Sequence, residues 1–120
     1  MKNFLMGFKY AFMGILEGLK TGRNQKIHAA AAVFAVAAGI YTGLSTVGYC
    51  VLALTIAAVF SAELFNSAIE ALADEVCGGE RREAIRRVKD MSAGAVLVTA
   101  IAAIVVAYFL FVEPAVKNLK

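Results

Sequence analysis

The feature that most constrains this chain is a row of polar side chains that begins inside an otherwise apolar helix. Residues 61–74 have the sequence SAELFNSAIEALAD and continue the uncharged run at 47–62. Four polar residues there are spaced by three, four and four positions: Glu63, Asn66, Glu70 and Asp74. At about 100° per residue they share one stripe of a helix. An ionisable group inside a membrane helix costs at least ~2.5 kcal/mol, which makes this polar stripe a candidate functional site.

The composition is typical of an integral membrane protein. Of the 120 residues, 61% are hydrophobic and one is proline, whereas soluble domains contain roughly 45–50% apolar residues. So little polar surface cannot coat a soluble domain of this size. The formal net charge is +3, and the basic residues gather in two short segments. That pattern favours phosphates or anionic lipid headgroups as neighbours and gives no indication of nucleic acid.

Hydrophobic periodicity predicts an all-α integral membrane protein with a single domain over residues 1–120. Residues 1–22 carry apolar side chains at every third or fourth position, which is typical of an amphipathic helix on the membrane surface. Three transmembrane helices are predicted, at 27–44, 47–76 and 93–112. A 20-residue helix is ~30 Å long and matches the hydrocarbon core of a bilayer. Gly22 is expected to interrupt the helix before the first span, and Pro114 is expected to end the third span.

The distribution of Lys and Arg predicts the orientation in the membrane. Five precede the first span and five lie in the second connection, whereas the first connection has none and the tail has two. The positive-inside rule therefore places the N-terminus and the second connection in the cytoplasm. The uncharged part of the second span covers only about 24 Å, so Glu63 is expected near the cytoplasmic boundary of the hydrocarbon. The polar stripe would then face the compartment that contains nucleotides.

An acidic stripe beside a basic segment suits a magnesium-bound nucleotide, because carboxylates bind Mg²⁺ and Lys or Arg neutralise phosphates. The sequence has no GxxxxGK[ST] loop, zinc-type spacing or nucleophile elbow, which excludes a soluble kinase fold. Two structural alternatives stay open: a hydrogen-bonding seam in an oligomer for the stripe, and an anionic-lipid anchor for residues 80–90. A proton- or cation-coupled transporter subunit is a functional alternative, although five neighbouring basic residues would repel cations. His28, alone at the edge of the first span, is expected to be an interfacial or hydrogen-bonded histidine.

Three motifs resemble a known family. AELFNSAIEALAD, followed closely by VKDMSAGAVLV, resembles the prokaryotic diacylglycerol kinase family, and RNQKIH at 23–28 is similar to RNxKIH of its undecaprenol kinase branch. The resemblance covers nearly the whole chain and implies a homotrimer in the bacterial inner membrane, with active sites shared between neighbouring subunits. It also implies transfer of the ATP γ-phosphate to a lipid alcohol with Mg²⁺. Undecaprenol is the favoured substrate and diacylglycerol the alternative.

The resemblance implies roles for individual residues. Glu63 matches the general base that accepts the proton of the lipid hydroxyl, with Asn66 beside it, and Glu70 matches a metal ligand. Lys89 is expected on the ATP phosphates, with Asp90 holding Lys89 or the nucleotide. The other residues that match the nucleotide site are Tyr10, Lys26 and Asp74.

Gly22 departs from the family pattern. The family usually has a glutamate immediately before the RN of this motif, where it helps to hold Mg²⁺. Glu17 lies five residues upstream and on a continuous helix would point roughly 140° away, so it is not expected to replace that ligand unless Gly22 bends the backbone. A family member that binds nucleotide or lipid with little turnover is therefore a further alternative.

Overall fold

The computed structural model describes residues 1–119, except for the side chain of Arg23. Its elements are α1 (Lys2–Thr21), α2 (Arg23–Thr42), α3 (Thr46–Cys77), α4 (Glu83–Ala107), a π-helical turn (Tyr108–Val112) and α5 (Glu113–Asn118). Helix α3 and the continuous course from α4 to α5 are long and apolar enough to cross a membrane. The prediction of an all-helical membrane protein is confirmed, whereas a third span through α2 stays a prediction. Two basic side chains that entered the topology argument, Arg23 and Lys120, lie outside the described part.

The chain reverses direction at glycines and at one helix cap. Gly22 has extended backbone (φ −73°, ψ 112°) and separates α1 from α2, as predicted. Gly78 and Gly79 have φ values of 55° and 86°, a region where a Cβ is strained, and they end α3. Between α2 and α3, the Gly48 N–H donates to Ser45 Oγ at 3.1 Å and caps the start of α3.

The end of the last helix differs from the prediction. Pro114 does not end the helical course, which continues through α5 to Asn118. Proline lacks an N–H and its ring conflicts with the carbonyl four residues earlier in a regular helix. Here the π-helical turn Tyr108–Val112 precedes Pro114, and the proline then lies in the first turn of α5, where it is tolerated. The charged segment from Glu83 onward and the last apolar run as far as Ala107 form one uninterrupted helix, α4.

Helix α3 is the centre of the packing. It contacts α4 along much of its length and α2 less extensively, and it supplies the buried apolar side chains Leu52, Val59 and Ala73. The radius of gyration is 17.8 Å, larger than the about 13–14 Å of a compact chain of this length. Large apolar side chains therefore stay exposed on the single chain, including three phenylalanines of α1: Phe4, Phe8 and Phe12. Such a surface requires lipid or further protein around it.

Helix α1 approaches α2 and α3 at Gly18. A Cβ at this position would lie 2.3 Å from Leu64 Cδ2 and 3.0 Å from Gln25 Nε2. Gln25 is completely buried there, and neither polar atom of its side chain has a hydrogen-bond partner within residues 1–119. The absence of a side chain at Gly18 is therefore what lets the three helices meet.

We expect Gly18→Ala to lower the free energy of unfolding by roughly 1–3 kcal/mol, the usual cost of overpacking, because Leu64 and Gln25 must both move. Gly7→Ala on the same helix is the matched control, since nothing lies within 4 Å of a Cβ there. Alanine is favoured over glycine in a helix by roughly 0.5–1 kcal/mol, so the control should not lose stability. Thermal denaturation in detergent checks both variants. A midpoint for Gly18→Ala at or above that of Gly7→Ala would contradict the close approach.

Candidate active site

A groove of about 680 Å³ lies between α3 and the junction of α1 with α2. One wall carries the whole polar stripe of α3: Glu63, Asn66, Glu70 and Asp74. The opposite wall is formed by residues around the break at Gly22, among them Glu17, Thr21 and Asn24. The structure thus brings the four residues of the stripe to one cavity, in agreement with their helical spacing.

Glu63 is the most deeply buried acid of the groove. Its side chain is 3% exposed, and Oε1 lies 3.0 Å from Nε2 of His28 on α2. The imidazole is not oriented for a hydrogen bond, so Oε1 has no hydrogen-bond partner in the described part of the chain. A buried carboxylate oxygen without a donor is costly, and its free lone pairs can accept a proton from a group that enters the groove.

A short hydrogen-bonded chain holds the middle of the stripe. Ser92 Oγ on α4 donates to Asn66 Oδ1 at 2.7 Å, and Asn66 Nδ2 donates to Glu70 Oε1 at 3.3 Å. Asn66 therefore links α3 to α4 and also orients the carboxylate of Glu70. Asn66 thus contributes to the packing of two helices of the same chain, whereas the alternative interpretation of the stripe was a hydrogen-bonding seam between chains.

Lys89 reaches the stripe through Asp74. Its Nζ donates to Asp74 Oδ1, and the two side chains are 37% and 65% exposed. An exposed ion pair of this kind contributes only ~0–1 kcal/mol, so Lys89 can exchange Asp74 for a phosphate at little cost. Asp90, in contrast, accepts a hydrogen bond from Arg86 Nη1 at 2.6 Å, one turn back on α4. Of the predicted Lys-Asp pair, it is Lys89 that contacts the stripe.

The remaining predicted site residues lie away from this groove on the single chain. Tyr10 and Lys26 are exposed, and neither lines the cavity. Asp90 does not line it either. The roles of these three residues stay predictions. The resemblance implies a site that is completed by a neighbouring subunit, and the structure is that of a single chain.

His28, Ser92 and Glu17 are the residues that the sequence did not indicate for the site. The contacts of His28 and Ser92 join two helices, and the position of Glu17 depends on the angle between α1 and α2. Periodicity describes one helix at a time and carries no information about such contacts. The sequence signals were the places of His28 inside the motif RNQKIH and of Ser92 inside VKDMSAGAVLV.

The acids of the groove fit a metal that arrives with a nucleotide. Among the described residues, no three His, Cys, Asp or Glu side chains are close enough to hold a metal by themselves. Mg²⁺ is commonly bound by one or two carboxylates together with substrate phosphates. The carboxylates of Glu70 and Glu17 on the groove walls provide oxygen donors of that kind.

A second, apolar crevice of about 330 Å³ lies between α2, α3 and the course of α4. Small side chains such as Ala32 and Ala103 line it, and His28 lies at one end. Because His28 contacts Glu63, the apolar crevice and the polar groove meet at this pair. Glu63 therefore stands where a hydrocarbon-lined space adjoins a charged one.

Comparison with known proteins agrees with the resemblance noted in the sequence. The prokaryotic diacylglycerol kinase profile matches residues 9–111. The chain is 38% identical over 112 residues to a diacylglycerol kinase of Synechocystis sp., a match that covers 93% of this chain and 64% of that protein. It is 33% identical over 111 residues to the undecaprenol kinase of Bacillus subtilis, covering 92% of this chain and 89% of that protein. The chain belongs to the prokaryotic diacylglycerol kinase family.

Proposed function

We propose that this protein is a membrane lipid kinase that transfers the γ-phosphate of ATP to the hydroxyl of a lipid alcohol. The observation that carries this proposal is the position of Glu63, buried and without a hydrogen bond on Oε1, between the polar groove and the apolar crevice. A lipid alcohol has a hydrocarbon chain and a polar end, and both spaces are available to it at this one residue. The family membership of the chain supports the same reaction class.

In the proposed reaction Glu63 is the general base. It takes the proton of the lipid hydroxyl as that oxygen attacks the γ-phosphorus, and the bond from the γ-phosphorus to the bridging oxygen breaks to release ADP. Lys89 leaves Asp74 to neutralise phosphate charge. Glu70, held by Asn66, is the carboxylate that would bind Mg²⁺, which neutralises charge on the transferred group. The chain thus contributes mainly positioning and charge compensation, as phosphoryl transfer requires.

We further propose a homotrimer with three spans per chain, the N-terminus in the cytoplasm, and the bacterial inner membrane as its location. The exposed apolar side chains of α1 and the extended radius of gyration support burial against lipid and other copies. The predicted site residues that lie outside the groove, Tyr10, Lys26 and Asp90, would then belong to the part of a site completed by a neighbour. The mass of the protein in detergent tests the trimer.

Undecaprenol is the proposed substrate, because RNQKIH resembles the motif of the undecaprenol kinase branch and a relative of that name is 33% identical. The expected result is a higher kcat/KM for undecaprenol than for diacylglycerol, measured with the purified protein in mixed micelles. A shorter prenol controls for chain length, since it shares the allylic hydroxyl of undecaprenol. A preference for diacylglycerol over both prenols would assign the chain to the other substrate class while retaining lipid kinase activity.

A further inference from the structure

We propose that Glu17 supplies the acidic contact to the metal-bound nucleotide that Gly22 does not provide. This inference rests on the proposed function, since it names a residue of the same site. The sequence allowed Glu17 to replace the missing ligand only if Gly22 bends the backbone, and the backbone is extended there. Three features of the structure carry the inference: the bend at Gly22, the lack of space for a side chain there, and the shared groove.

The bend at Gly22 brings Glu17 to the groove. Helix α1 ends at Thr21 and α2 begins at Arg23, with extended backbone between them (φ −73°, ψ 112°). The face of α1 that covers the groove contains Gly14, Glu17, Gly18 and Thr21, which follow the three-to-four spacing of one helical stripe. Glu17 is the one acidic residue on that face. It therefore lies across the cavity from the acids of α3.

A side chain at position 22 does not fit the structure. A Cβ at Gly22 would lie 2.7 Å from Gln25 Cγ and 2.7 Å from the backbone carbonyl oxygen of Gly18. Real Cβ atoms do not approach other atoms so closely, and a backbone carbonyl cannot move aside as the end of a flexible side chain can. A side chain at position 22 would therefore require the carbonyl of Gly18 and the side chain of Gln25 to shift. In this structure the acid on this wall of the groove is Glu17.

A buried acid of the groove gives a second indication that a ligand enters it. Glu63 lines it, is 3% exposed and has an Oε1 atom without a hydrogen-bond donor in the described part. Because Mg²⁺ needs only one or two carboxylates when phosphates complete its coordination, Glu17 on one wall and Glu70 on the other would be enough in number. In this arrangement Glu17 on α1 takes the place of the glutamate that the family usually has at the position of Gly22.

Binding of Mn²⁺ tests this inference without relying on turnover. Mn²⁺ replaces Mg²⁺ and is followed by electron paramagnetic resonance in the presence of a non-hydrolysable ATP analogue. We expect Glu17→Gln to weaken Mn²⁺ binding at least ~10-fold, the loss seen when a group that supports a metal site is removed. Glu17→Asp keeps the carboxylate and should bind more tightly than Glu17→Gln. Glu75→Gln removes the same charge from an exposed site outside the groove and should bind as the parent does.

The outcomes separate the inference from the proposed function. Parent affinity in Glu17→Gln, with lipid phosphorylation by the parent, would overturn the role of Glu17 and leave the kinase proposal standing. Weakened Mn²⁺ binding in Glu17→Gln, in a parent that phosphorylates no lipid alcohol, would support the site and overturn the kinase proposal. Equally weakened Mn²⁺ binding in Glu75→Gln would also overturn the inference, because it would show that the effect depends on the net charge of the protein and not on the position of Glu17.

Discussion

Glu63→Gln is expected to lower kcat for lipid phosphorylation at least ~100-fold, since a general base contributes roughly 10²–10⁴-fold and an amide cannot take the proton. Glutamine has nearly the same shape, so the contact with His28 is preserved sterically. The imidazole of His28 is 24% exposed, so the substitution does not leave it buried and unpaired, and the fold is expected to persist. The loss should therefore appear in kcat, while binding of Mn²⁺ and the ATP analogue persists.

Glu75→Gln is the matched control for Glu63→Gln, because Glu75 lies on the same helix but is exposed and outside the groove. The rate of labelled lipid formation is compared for the parent and both variants at saturating ATP. Activity of Glu63→Gln within about tenfold of the parent would contradict its role as the base, since general-base catalysis contributes more than this.

Lys89→Met is expected to lower kcat/KM for ATP by roughly 100-fold or more, the usual effect of removing one group that stabilises transition-state charge. Stability should change little, because the exposed pair of Lys89 with Asp74 contributes at most ~1 kcal/mol. A large kinetic effect with a small stability effect is the combination expected of a phosphate-binding lysine.

Lys117→Met provides the comparison for Lys89→Met. Lys117 forms an ion pair with Glu113 at 2.7 Å at the opposite end of the same helical course. The substitution removes the same charge and the same kind of contact, far from the groove, and is expected to leave kcat/KM for ATP within about twofold of the parent. Similar losses in the two variants would show that Lys89 acts through overall charge and not at the phosphates.

The polar stripe could be predicted because helical spacing is a local property. Glu63 and Glu70 follow the period of a helix, and the sequence between them contains no residue that would interrupt it. Local reasoning of the same kind located the break at Gly22. Each of these features depends on residues that are close together in sequence.

The parts of the site that were not predicted depend on how helices meet. The proximity of His28 to Glu63 requires α2 to cross α3 at one height, and the bond from Ser92 to Asn66 requires a fixed register with α4. The direction of Glu17 was calculated for a continuous helix, with a bend at Gly22 as the stated exception, and the chain does bend there. Intervals along a sequence do not determine these angles and offsets between helices.

Pro114 shows the same limit within a single helix. A proline is expected to end a helix because it lacks an N–H. Here a π-helical turn precedes Pro114, and the helix continues to Asn118. The sequence identifies the position at which a regular helical hydrogen bond cannot form. Whether the helix ends or adjusts there depends on the packing around it.

The most direct test of the proposed function is transfer of the γ-phosphorus itself. The purified protein, reconstituted in lipid bilayers with undecaprenol, is incubated with Mg²⁺ and ATP labelled at the γ-phosphate, and the lipid fraction is separated and analysed. The proposal predicts a labelled lipid monophosphate with the parent and none above background with Glu63→Gln. Label that is released only as inorganic phosphate, or that reaches no lipid alcohol, would contradict it.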